Sequence, residues 1–141
     1  MRFWDSSAIV PLVVAEAASA RLVGYAAEPG PIYVWWTTRV EVMAALTRRE
    51  RADGRHDADW SACFQALNEM AEDWREVVPT DTVRRIAERL LRRHELRAAD
   101  SLQLAAALIA CDDRPSGHEF ICLDERLRRA AAAEGFKLLP T

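Results

Sequence analysis

The sequence predicts an α/β domain, a three-layer α/β/α sandwich with a mostly parallel central sheet. Three observations lead there. Short runs rich in β-branched and aromatic residues alternate with helix-period segments along nearly all of the 141 residues. Gly, Pro and Asp signals punctuate the joins, as at Glu28-Pro29-Gly30-Pro31 and Asp53-Gly54. The stretch from Leu102 to Ala110 is apolar on nearly every side, the pattern of a helix buried against a sheet.

Arg2 to Asp5 is the first expected strand. Ser7 to Ala27 follows as helix, with Pro11 forcing a break or a first-turn placement because it lacks an N–H. Ile32 to Trp35 is the second strand, and Thr37 or Thr38 caps a helix reaching about Arg51. A further helix from Asp57 to Ala71 aligns Trp60, Cys63, Phe64, Leu67 and Met70 on one face. These two helices form an inserted pair between the second and third strands. Glu76 to Val78 is the third strand, ended by Pro79. The next helix, capped by Thr80 or Asp81, sets Val83, Ile86, Ala87, Leu90 and Leu91 inward and an arginine face outward. Ala99 to Ala110 is the buried helix, Glu119 to Leu123 the fourth strand, Asp124 to Glu134 a helix, and Phe136 to Leu139 the last strand.

The length suits one well-buried core, so residues 1–141 are expected to be a single domain without repeat or linker. A net charge of −3 argues against adhesion to nucleic acid through bulk charge, although a carboxylate-built cation site would itself contribute negative charge. Cys63, Cys111 and Cys122 are odd in number and form no C-x-x-C pair, which predicts reduced thiols buried in a cytoplasmic protein. The opening residues lack a signal-peptide pattern, and no apolar run approaches the roughly 20 residues of a membrane span.

Four acids are the candidate chemistry. Asp5, Asp100 and Asp124 sit where a strand or loop hands over to a helix, and Glu41 lies inside a helix among Val40, Val42 and Met43. Helix capping accounts for Asp5 or Asp124 alone, and Asp100-Ser-Leu-Gln103 resembles a capping box. Glu41 caps nothing; taken alone, it reads as a solvated side chain paired to Arg48. Taken together, the four can converge beyond the carboxyl ends of the strands, where open α/β sheets bind ligands. Crowded carboxylates repel, so such a cluster implies a hard divalent cation, Mg²⁺ or Mn²⁺, and phosphodiester chemistry.

At these residues the sequence resembles the PIN-domain nucleases, in particular the VapC-type toxins of toxin–antitoxin pairs. The matching pieces are the strand ending in Asp5-Ser6-Ser7, Glu41 early in a helix, Arg97-Ala-Ala-Asp100-Ser-Leu-Gln-Leu-Ala105 and Phe120-Ile-Cys-Leu-Asp124-Glu-Arg-Leu127. The resemblance spans essentially the whole chain. It implies a Mg²⁺- or Mn²⁺-dependent ribonuclease that dimerises and is neutralised by a small antitoxin. Asp5, Glu41, Asp100 and Asp124 would then be catalytic metal ligands, with Ser7 supporting Asp5. Cys122-Leu123 departs from the Thr often found before the last acid.

Arg84, Arg85, Arg89, Arg92, Arg93 and Arg97 make a basic stripe, with Arg126, Arg128 and Arg129 as a second cluster. Such runs are usually solvated faces, here with Glu88 and Glu95 available as partners, but a stripe near an acidic site could also steer phosphates. His56, His94 and His118 show no ligand spacing and are expected at the surface. Core packing accounts for most of the tryptophans, while Trp36 could instead serve a partner peptide or a stacked base. An aspartyl phosphatase would want a second acid at Ser7, and a receiver domain would want an acid pair at Asp5-Ser6 with Lys137 as its lysine. A protein-binding module whose acids are all caps is the non-enzyme alternative.

Overall fold

The computed structural model describes residues 1–141. Five three-residue strands, β1 (Arg2–Trp4), β2 (Tyr33–Trp35), β3 (Arg75–Val77), β4 (Glu119–Ile121) and β5 (Lys137–Leu139), form one sheet in the order β3-β2-β1-β4-β5. Every pairing is parallel, so each connection carries helices across a face. The helices are α1 (Ser6–Val13), α2 (Ser19–Ala27), α3 (Thr38–Ala52), α4 (Trp60–Asp73), α5 (Asp81–Arg93), α6 (Ala98–Ala110) and α7 (Glu125–Glu134). The expected sandwich, with α3 and α4 inserted between β2 and β3, is the observed architecture.

Alternation along the strands divides the core. Phe3, Trp35 and Phe120 face α5, α6 and α7, while Trp4, Val34 and Ile121 face α1 to α4. Phe3 stacks on Phe120 with ring centroids 5.6 Å apart, fastening β1 to β4 on the first face. Helix α6 is buried from Leu104 to Leu108, as its uniform apolarity requires. Helix α7 ends on Gly135, whose φ of 110° lets its N–H and that of Phe136 reach the Ala131 carbonyl.

Several boundaries differ from expectation. The Ser7–Ala27 helix is two helices, and α1 runs through Pro11 before stopping at Val13. The break is held by Ser19, whose hydroxyl donates to the Val14 carbonyl and accepts from the Glu16 N–H. Leu91 turns outward at 40% exposure, because the inward stripe of α5 is filled by Val83, Ala87 and Leu90. Cys63 is only half-buried, whereas Cys111 and Cys122 are buried. Trp36 is an exposed side chain, unlike Trp35, Trp60 and Trp74. No helix is long and apolar enough to cross a membrane.

Candidate active site

The sheet order reverses between β1 and β4, since the chain leaves β1 toward β2 on one side and later returns to pair β4 on the other. The carboxyl ends of those two strands flank a crevice. Asp5 follows β1 and Asp124 follows β4 by a short loop, so both stand at this switch point. Asp5 is buried, and one oxygen, Oδ2, accepts from the Ser7 N–H at 3.0 Å and from the Ser7 hydroxyl. The same Ser7 hydroxyl accepts from the Leu123 N–H at 3.0 Å, linking the two strand ends. Cys122 lies across from Asp5, its sulfur 3.6 Å from Oδ2 and 3.3 Å from the Asp124 N–H. The thiol is therefore part of the floor of the site, and its proton is held tightly there by burial and by the Asp5 charge.

Helices bring the other two acids. Glu41, in the first turn of α3, accepts a hydrogen bond from the side-chain amide of Gln103 on α6 rather than pairing with Arg48. Asp100 is not the head of a capping box. Arg97 occupies the cap position of α6, which places Asp100 in the first turn and leaves Gln103 for Glu41 and Thr38. The cap reading does hold for Asp5 and for Asp124, whose Oδ1 accepts from the Leu127 N–H at 2.8 Å.

Ser6, Ser7, Glu41, Asp100, Leu123 and Asp124 line one groove of about 680 Å³, with Asp5 beneath it. Burial raises Glu41 to about 7, against the Gln103 hydrogen bond and with help from the charges of Asp5 and Asp100. Burial also raises Asp5 and Asp100, the latter assisted by the Asp124 charge. These charges act on one another within the groove.

The expectation of one tight all-oxygen pocket is corrected in one respect: no three His, Cys, Asp or Glu side chains are drawn together into a closed cage. Their own hydrogen bonds to Ser7, Gln103 and Leu127 hold three of the acids apart, and mutual repulsion favours that spread. The donor set still fits a hard divalent cation. In Asp5, Glu41 and Asp100 it offers carboxylates whose ionised forms are disfavoured by burial and by neighbouring acids, a penalty that a cation would relieve.

Of the predicted basic stripe, Arg97 borders the acidic groove. Arg84, Arg85, Arg89, Arg92 and Arg93 lie exposed on α5 and do not line it. Arg84, Arg89 and Arg93 pair with Asp81, Asp113 and Glu134, not with Glu88 or Glu95. In the second cluster, Arg128 donates to the carbonyls of Cys122, Leu139 and Pro140 and so braces the loop before Asp124. His94 is not a free surface residue: its Nε2 lies 2.6 Å from the Glu134 carboxylate. Lys137, at the start of β5, pairs with Glu119 at the opposite edge of the sheet, which removes the lysine a receiver domain needs. Sequence reasoning missed Gln103 and Thr38 as supports of Glu41.

A family model described as the PIN domain matches residues 2–133. The chain belongs to the PIN-domain family. Ribonuclease VapC45 and Ribonuclease VapC49, from two strains of Mycobacterium tuberculosis, are each 33% identical to this PIN domain over 147 aligned positions, covering 98% of it and 94% of the relative. Mycobacterium tuberculosis VapC20, a Sarcin-Ricin loop cleaving toxin, superposes with a TM-score of 0.68 at 18% identity, covering 97% of each chain. A toxin–antitoxin complex from Klebsiella pneumoniae gives 0.64 at 14% identity, covering 88% of this chain and 87% of that one. The two superpositions establish the PIN fold; the family assignment rests on the family model and on the VapC45 and VapC49 identities.

Proposed function

We propose that this PIN domain is an endoribonuclease, the toxin of a toxin–antitoxin pair, and that it hydrolyses RNA phosphodiester bonds with Mg²⁺ or Mn²⁺ at the acidic groove. The observation that supports the reading is that Glu41, Asp100 and Asp124 line one groove next to buried Asp5 at the switch point, in a relative of the VapC ribonucleases. Asp5, Glu41, Asp100 and Asp124 would hold the cation. When bound, it supplies Lewis-acid polarisation of a phosphoryl oxygen and lowers the pKa of water. Ser7 fixes the Asp5 carboxylate, Gln103 fixes Glu41, and Arg97 stands where it can meet the substrate's charge. No side chain is needed as a covalent nucleophile.

The toxin assignment brings a cognate antitoxin as partner, a homodimer as assembly and the cytoplasm as location. An exclusively capping role suits Asp5 and Asp124, and Asp100 in part through the backbone of Arg97, but not Glu41, which caps nothing and is held by Gln103. The deciding experiment incubates the protein with total RNA, tRNA and rRNA fragments, with Mg²⁺ or Mn²⁺ and with EDTA. Discrete cleavage that EDTA abolishes is expected. Intact RNA under every metal condition would sink the reading in favour of a binding module.

A further inference from the structure

Three neighbouring cavities share lining residues, from the acidic groove at the carboxyl edge of the sheet to the flank of α7. The acidic groove shares Arg97, Asp100 and Asp124 with a second cavity of about 430 Å³, which adds Arg126 and Arg129. That cavity in turn shares Arg126 and Arg129 with a recess of about 150 Å³ closed by His94 and Glu95. The result is a row of adjoining cavities, with Arg48 and Arg49 at the Glu41 end, the acids in the middle and Arg126 and Arg129 toward α7.

We propose that the recess at His94, Arg126 and Arg129 is a phosphate-binding subsite, holding a backbone phosphate of the RNA strand beyond the one at the carboxylates. The inference rests on the ribonuclease reading and assigns that substrate a direction across the molecule, from the Glu41 side over Asp100 and Asp124 toward α7.

The arginines themselves carry the argument. Arg126 and Arg129 are exposed, lie three residues apart on one face of α7, and have neither an ion-pair nor a hydrogen-bond partner within the chain. Arg128 between them is engaged by three backbone carbonyls and by Glu125, so the helix separates a bracing arginine from two unengaged ones. Paired guanidinium forks match phosphate oxygens better than carboxyl-neutralised ones do. The recess wall is firm, because His94 ends α5 and is tied to Glu134, itself nearly buried at the end of α7. At about 150 Å³ the recess is well below the roughly 300–1,000 Å³ of pockets that engulf whole small ligands, and suits a single phosphate group. Glu95 also borders it, so an anion must be held on the guanidinium side.

The test measures binding apart from cleavage. A short fluorescein-labelled single-stranded oligoribonucleotide is titrated by anisotropy against Asp5→Asn protein in Mg²⁺ over a series of salt concentrations. Adding Arg126→Ala and Arg129→Ala together should raise Kd about tenfold or more. The slope of log Kd against log salt should fall by about 0.7 for each phosphate that the protein no longer neutralises. Arg126→Lys with Arg129→Lys should keep the slope while binding more weakly, since the charge remains and the fork does not. Arg84→Ala with Arg85→Ala, away from this row of cavities, should change neither quantity. Should the double alanine variant fold poorly, the single Arg129→Gln change is read by the same criteria. Unchanged Kd and slope in the α7 variants, with wild-type protein cleaving RNA in parallel, overturns the subsite alone. Wild-type protein that neither binds nor cleaves RNA overturns the subsite together with the ribonuclease reading.

Discussion

The side-chain amide of Gln103 donates to the Glu41 carboxylate and also approaches the Thr38 hydroxyl at 3.1 Å. One residue on α6 thereby holds both a groove acid and the start of the helix that carries it. Gln103 is buried and its Oε1 has no partner, so the amide is committed to this orientation by its nitrogen alone.

Gln103→Leu is therefore expected to act through Glu41. The variant loses a charge-assisted hydrogen bond, worth about 1.5–3 kcal/mol in general, but also removes the orphaned Oε1. Stability measured by urea denaturation should fall by about 1–2 kcal/mol. RNA cleavage should fall more steeply, by about tenfold or more, because Glu41 is left unoriented. Cleavage at the wild-type rate would show that Glu41 needs no support from α6.

Stability in EDTA should decline as pH rises. Glu41 binds its proton more tightly when folded, at about 7, than at its ordinary value of 4.5. The folded state thus binds more protons than the unfolded state between those values, and stability falls with pH across that window. Asp5 and Asp100 are shifted the same way. Asp53 and Glu119 are shifted downward, so their contributions disappear only at lower pH, as they protonate. Thermal melts should show a lower Tm at pH 8 than at pH 5.5 in EDTA, with Mg²⁺ narrowing the gap. A Tm that rises with pH would mean that the acids do not strain the metal-free fold.

The handover of a strand to a helix was enough to place Asp5 and Asp124, because in a parallel sheet every such handover lies on the same edge. Helical periodicity likewise located the faces of α4 and most of α5. The order of the sheet was not legible, since three-residue strands carry too little pattern to choose neighbours. Nor was the Gln103–Glu41 bond, which joins residues 62 apart and which the Asp100-x-x-Gln103 pattern concealed behind a local motif. The arginines show the same limit. Periodicity groups Arg84, Arg85 and Arg89 on one face of α5, but only the packing of α6 and α7 against the sheet decides that Arg97 borders the groove and that Arg126 and Arg129 line the cavity beside it.

Arg128→Ala should loosen the loop that delivers Asp124. Arg128 satisfies carbonyls of Cys122, Leu139 and Pro140 at 2.8, 3.1 and 2.7 Å, joining β4 to the chain beyond β5. Losing these bonds should cost about 2–3 kcal/mol in chemical denaturation. Arg128→Lys should recover little, because one ammonium cannot reproduce the planar fork. A loss below about 0.5 kcal/mol, the size of an ordinary surface change, would assign Arg128 no bracing role.

Asp5→Asn separates the two roles of Asp5. The Oδ2 atom accepts both bonds from Ser7, and an asparagine oxygen in that place accepts them equally well, so the cap of α1 survives. What disappears is a buried negative charge that burial and Asp100 already disfavour. The variant should melt at or above the wild-type temperature in EDTA at pH 8 and gain less from added Mg²⁺. Its RNA cleavage should fall by at least about a hundredfold, the scale of removing a principal electrostatic group from an active site. A folded variant with full activity would reduce Asp5 to a helix cap, whereas a variant that is inactive but more stable in EDTA would show that its charge is kept for the cation rather than for the fold.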